Sequence, residues 1–107
     1  MLIKISTDFS ETPGARSRKE GKYSGEEFRD DFLIKKYEAA KSAHEILTID
    51  FDGGYGYPTS FLEEAFGGLA RIYPPSEVLD VLGFVSNDEP SLIDEVKNYI
   101  RNARKKR

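Results

Sequence analysis

The chain has 107 residues, no cysteine, 33% charged residues and a formal net charge of −3. This length predicts one domain with a modest core, and the lack of thiols excludes disulfides and thiolate metal sites. Five of the last seven residues are basic (Arg101, Arg104, Lys105, Lys106, Arg107), which leaves a body of 11 basic and 19 acidic residues. An acidic body argues against a broad nucleic-acid surface. The opening Met1-Leu-Ile-Lys-Ile-Ser lacks the long apolar run of a signal peptide. No segment reaches the ~18 apolar residues of a membrane span, so a soluble cytoplasmic protein is expected. Residues 1–104 should form the domain and 105–107 a solvated basic tail.

Residues 2–7 are rich in β-branched side chains and partly alternate, which predicts a first strand. Pro13-Gly14 marks a turn, and the polar stretch 16–23 is expected to return as an edge strand in a hairpin. Ser24-Gly-Glu-Glu27 has the form of a capping box, in which the serine hydroxyl accepts from the N3 amide and the glutamate reaches back. The helix it opens should run to about Ser42. Phe28, Phe32, Ala39 and Ala43 fall near one face, with Leu33, Tyr37 and Ala40 beside them. His44, the single histidine, takes a capping or loop position at the helix end.

Residues 46–51 form a nearly continuous apolar run, as expected of a central strand. A glycine and tyrosine loop spans 52–59. A helix over 61–73 follows, burying Leu62, Ala65, Phe66, Leu69 and Ile72. Gly67-Gly68 inside it costs about 1 kcal/mol per glycine relative to alanine, which points to a close approach or a break in the helix. Pro74-Pro75 ends it. Residues 78–86 read as another strand, and Pro90 starts a last helix over about 90–104 with Leu92, Ile93, Val96, Ile100 and Ala103 inside. The predicted order is ββαβαβα. It gives a small α/β domain whose mixed, mainly parallel sheet has about four strands and right-handed crossovers.

Residues 50–64 hold the chain's unusual chemistry, at the carboxyl end of a strand where α/β domains bind ligands. Three chemistries fit them. Thr48-Ile-Asp50-Phe-Asp52-Gly-Gly54 resembles the opening motif of haloacid dehalogenase-type phosphotransferases. That likeness implies Asp50 as nucleophile, Asp52 as acid/base and Ser86 as a phosphate contact, with a cation to tolerate the phosphate dianion. Only 55 residues follow Asp52, fewer than that fold needs. Asp50 and Asp52 also suit a divalent metal, although positions i and i+2 on a strand face opposite ways; strand-terminating aspartates that bond to loop amides explain them equally. Finally, Thr59 and Ser60 stand at a helix start, where phosphorylation would place charge on unpaired amides. Ser60-Phe-Leu-Glu63 is itself a capping-box pattern, which accounts for the serine without a switch.

The strand Ile49-Asp50-Phe51, its loop, and the helix with Ser60-Phe61, Glu64 and Phe66-Gly67 resemble the STAS-like family of unknown function. The likeness extends over Gly14-Ala-Arg16, Gly21 and the first helix. This family is related to the STAS domains of bacterial anti-sigma factor antagonists. The resemblance implies a serine phosphorylated by a partner, an ATPase of the histidine-kinase-like type. By position that serine is Ser60, with Thr59 beside it. The sequence departs from the STAS pattern at Pro58, where an aspartate commonly stands, and at Phe61, which replaces a small glycine and would narrow a kinase's approach.

The expectation is a non-enzymatic regulatory or signalling module, without cofactor or metal, that binds a protein partner through loop 52–60 and helix 61–73. Asp52, Tyr55, Tyr57, Ser60, Glu63 and Glu64 are its candidate contact residues; Tyr55 and Tyr57 either stand exposed and anchor an interface at low entropic cost or fold back on the sheet edge, and the sequence favours neither. A Mg²⁺-dependent phosphatase using Asp50 and Asp52, and a structural dimerisation module, are the alternatives.

Overall fold

The computed structural model describes residues 1–104, so the predicted tail at 105–107 lies outside the described residues. Three strands form one parallel sheet in chain order: β1 (Leu2–Lys4), β2 (Leu47–Asp50) and β3 (Leu82–Val85). Leu2, Thr48 and Gly83 share one row, Ile3, Ile49 and Phe84 the next, and Lys4, Asp50 and Val85 the third.

The expected fourth, antiparallel strand over 16–23 does not form, so the sheet is wholly parallel. That stretch offers only Tyr23 as a large apolar side chain, and a paired strand there would bury almost nothing. Instead it folds into turns closed at its base, where Gly14 N–H donates to Tyr23 O and Gly25 N–H to Ala15 O. The first strand is also shorter than expected. Ile5–Asp8 winds into one helical turn, and Asp8 accepts the Lys4 N–H at 2.9 Å. That bond occupies an amide on the open edge of the sheet. The segment Val78–Val81, expected in the last strand, is helical. Pro75 at the first helical position fixes its own φ in the helical range, the helix runs Pro75–Val81, and β3 begins at Leu82.

The helix over 25–43 opens with the predicted cap. Buried Ser24 Oγ accepts from Glu27 N–H at 3.1 Å, and Glu27 Oε1 accepts from Tyr23 N–H at 3.2 Å. Its middle, Arg29–Leu33, is π-helical. The wider turn shifts the buried face by one residue. Leu33, not Phe32, therefore follows Phe28 fully into the core; Tyr37 and Ala40 come next, while Ala39 and Ala43 are exposed. His44, in the left-handed region at φ 56°, caps the end.

The helix over 59–72 has the same interruption: Thr59–Leu62 is α-helical, Glu63–Gly67 π-helical and Gly68–Ile72 α-helical again. Ile72, expected inside, is exposed. The two bulged helices meet at Gly25, where an added Cβ would lie 2.6 Å from Phe61 O. Gly68 lies under the Arg29 side chain in the same way, so the glycine pair marks both a close approach and a departure from α-helix. Phe28, Phe61, Phe66, Leu33 and Ile49 build the core. The last helix, Ser91–Arg101, adds Leu92, Val96 and Ile100. Right-handed crossovers taken in the strand order 1-2-3 bring both crossover helices to one face of the sheet. No helix among the described residues is long and apolar enough to cross a membrane.

Candidate functional site

Strand β2 delivers Asp50 and loop 51–58 to the carboxyl end of the sheet, beside the loop that follows β3. Asp52 ties the two loops together. Its Oδ1 accepts the Asn87 N–H at 2.7 Å and the Asp88 N–H at 2.9 Å, and its Oδ2 accepts from Asn87 Nδ2 at 3.0 Å. The bond from the Asp88 amide, joined by those from Asn87, holds the Asp52 carboxyl below the usual carboxylate range. Asp50 Oδ1 accepts the Asp52 N–H at 2.9 Å, and Asp88 Oδ2 accepts the Gly53 N–H at 3.0 Å. Gly53 needs its φ of +92° for this turn, and Ser6 Oγ would stand 3.0 Å from any Cβ there. Both aspartates therefore shape the loop. Ser86, buried, donates to Glu89 O at 2.6 Å and caps its own turn. Among the described residues no group of three or more His, Asp or Glu is placed to hold a metal ion.

The two loop tyrosines part company. Tyr57 folds back, its hydroxyl donating to Phe51 O at 2.7 Å and its ring packing edge-on against Phe51. Burial, with the nearby charges of Asp50, Asp52 and Asp88, pushes its hydroxyl up to about 12. Tyr55 stands out, 84% exposed. Between them opens a cleft of about 160 Å³, walled by Phe51, Tyr55, Tyr57, Ser86, Glu89 and Leu92.

The helix start differs from the sequence expectation. Pro58, extended at φ −60° and ψ 143°, is the N-cap residue; among the described residues no side chain caps this helix, and Thr59 is its first residue. Ser60 therefore lies inside the first turn, half-buried, with Thr59 exposed. The Ser60–Glu63 capping box does not form. Pro58 sets the extended entry conformation two residues too early for it, and Glu63 is drawn elsewhere. Phe61 points fully into the core among Phe9, Phe28 and Tyr57, so its bulk does not obstruct the outer side of Ser60.

Glu63 and Glu64, expected as contact residues, pair within the domain. Glu63 binds Arg71 at 2.7 Å and Arg16 at 2.5 Å. Glu64 binds Arg29 closely and Arg16 at 3.4 Å, and Arg29 Nη1 also donates to Glu64 O at 3.0 Å. Burial alone would push Glu63 up, but the hydrogen bonds from Arg71 and Arg16 outweigh it and hold the carboxyl low. The helix over 59–72 presents mainly these glutamates, Thr59, Ser60, Arg71 and Ile72 outward; the residues Ala65–Ala70 are buried. Asn87, Asp88 and the three arginines escaped the sequence reading. Asn87-Asp88 carried a turn signal read only as a helix start, and nothing in the spacing of Arg16, Arg29 and Arg71 announces a shared cluster.

The fold is thus a three-stranded parallel α/β domain with a shaped loop and an uncapped helix start at the sheet's carboxyl end. Residues 24–92 match the sequence model of a family described as a STAS-like domain of unknown function, and the chain belongs to that family. No curated protein and no solved structure matches the chain.

Proposed function

We propose that the domain is a non-enzymatic regulatory module of a bacterial cytoplasm. It binds a protein partner through loop 52–60 and the opening turn of helix 59–72. The partner is a histidine-kinase-like ATPase, and Ser60, with Thr59 beside it, is the hydroxyl it phosphorylates. The observation that carries this reading is the uncapped helix start: neither hydroxyl is spent as a cap. The first-turn amides and the positive end of the helix dipole favour an anion there. Exposed Tyr55 supplies an aromatic anchor on the same loop. Asp52 and Tyr57 act within the surface by holding the loop's shape, and Glu63 and Glu64 form its charged rim with Arg16.

Co-purification with the candidate ATPase tests the proposal, using the parent, Ser60→Ala and Ser60→Glu. Parent and Ser60→Ala should bind alike, and Ser60→Glu should bind on the order of tenfold more weakly, equivalent to about 1.4 kcal/mol. Equal binding by all three removes the switch. Binding by none removes this partner.

A further inference from the structure

The sheet has one covered face and one bare face. Ile3 and Ile49 point to the helices and are 1% and 0% exposed. Alternation along the strands then sends Leu2, Lys4, Thr48, Asp50, Gly83 and Val85 to the opposite face. None of the six is buried, and Leu2 is 54% exposed. Ile46, just before β2, lies on this face as well. Its Cγ2 stands 3.1 Å from where a Gly83 Cβ would be, and the residue is 51% exposed. Wholly parallel sheets are ordinarily covered on both faces, so a bare face bearing two exposed aliphatic side chains calls for a cover.

We propose that the cover is a second copy of this chain, packed sheet to sheet about a two-fold axis that runs along the strands between β1 and β2. The side chains on the face select that occupant and that axis. The amino end is apolar, with Leu2 and Ile46. The carboxyl end is charged, with Lys4 and Asp50 side by side in one row. Among the described residues neither Lys4 nor Asp50 forms an ion pair. Lys4 runs beside Gly53, and Asp50 uses one oxygen, Oδ1, on the Asp52 N–H. A two-fold interface is self-complementary: where residue i meets residue j, j meets i. The axis between β1 and β2 exchanges the two strands, so each Lys4 faces the Asp50 of the other copy. Running along the strands, it also keeps apolar end over apolar end. An axis across the strands would set Leu2 and Ile46 over the charges, and a partner of another kind needs no such matched pair.

Three short strands about 4.8 Å apart span a face of only about 14 by 13 Å. With its rim, such a face falls below the roughly 800 Å² per partner of a stable complex. The dimer is therefore weak and reversible on dilution. Its axis brings both copies of loop 52–60 to the same end, so the dimer offers a partner two equivalent loops. None of this depends on Ser60 or on its modification.

Sedimentation equilibrium over a dilution series tests the proposal. The parent should pass from dimer to monomer mass down the series. Leu2→Asp and Ile46→Asp, both at exposed positions, should each weaken association on the order of tenfold. Lys4→Glu sets acid against acid across the axis and Asp50→Lys sets lysine against lysine, so neither variant should self-associate. Mixed in equal amounts they should associate as the parent does, since every charge pair across the axis is then opposite in sign. A parent that is monomeric throughout overturns the proposal and leaves the face to a different protein. A dimer indifferent to Leu2→Asp and Ile46→Asp uses another surface and overturns it equally. So does a mixture of the two folded charge variants that stays monomeric. Circular dichroism reads folding, and where Asp50→Lys does not fold, the Leu2→Asp and Ile46→Asp results decide.

Discussion

Two helix starts in this chain carry the same sequence signal, serine followed three residues later by glutamate, and they fold differently. At Ser24 the signal is obeyed: the hydroxyl is buried and accepts from Glu27 N–H. At Ser60 it is overridden, with Pro58 at the cap position and Glu63 claimed by two arginines. The difference shows that a capping box depends on what competes for its ends. Before Ser24 stands Tyr23, whose amide is free to donate back to Glu27. Before Ser60 stand Pro58, which has no amide to give, and Thr59, already helical. One start is locked by its own side chains, and at the other no described side chain caps the helix.

Substitutions can break that contrast. The largest effect should come from Gly25→Ala, one residue inside the locked start. Its Cβ would sit 2.6 Å from Phe61 O and 3.2 Å from Ala65 N, and overpacking against fixed backbone costs about 3 kcal/mol. Urea denaturation reads the loss; a stabilised variant would mean the helices are not pressed together there. Ser24→Ala should cost about 1–2 kcal/mol, as for a lost cap, in the same assay. A third effect lies in the loop above the open start. Asp52 is held low in the folded state, so its contribution is present above the ordinary aspartate range, near about 3.9. It is lost as pH falls through the lowered folded-state value. Asp52→Asn should flatten this part of the stability–pH curve, and an unchanged acid limb would deny the clamp on Asn87 and Asp88. Smallest of all, Ser60→Ala should change stability by less than about 0.5 kcal/mol. A loss equal to that of Ser24→Ala would make the two starts alike after all.

Much of the architecture was legible. The apolar run before Asp50 predicted the central strand, Ser24 predicted its helix, and the pairing of Asp50-Phe51 with Ser60-Phe61 carried the family likeness. Three features were hidden for physical reasons. Val78–Val81 suits a strand by composition, but Pro75 starts a helix that runs through it. The Phe28, Phe32, Ala39, Ala43 face assumed regular α-helical spacing, which the π-helical turn at Arg29–Leu33 breaks. The stretch 16–23 looked like a polar edge strand, yet its role is to place Arg16 beside two glutamates 47 and 48 residues away. Of the two loop tyrosines, for which exposure and folding back were equally open, Tyr55 stands exposed and Tyr57 folds back onto a loop carbonyl, while Asp52 reaches across the surface to the amides of Asn87 and Asp88.

The strand order β1, β2, β3 repeats the order in which the residues are joined. A ribosome releasing the chain from its N-terminus therefore supplies β2 when β1 is already out and β3 when β2 is, and the sheet can grow from one side without reopening. No strand has to be threaded between two others. Vectorial assembly of this kind keeps the unfinished edge short-lived, which suits a small parallel sheet whose pairing would otherwise be slow.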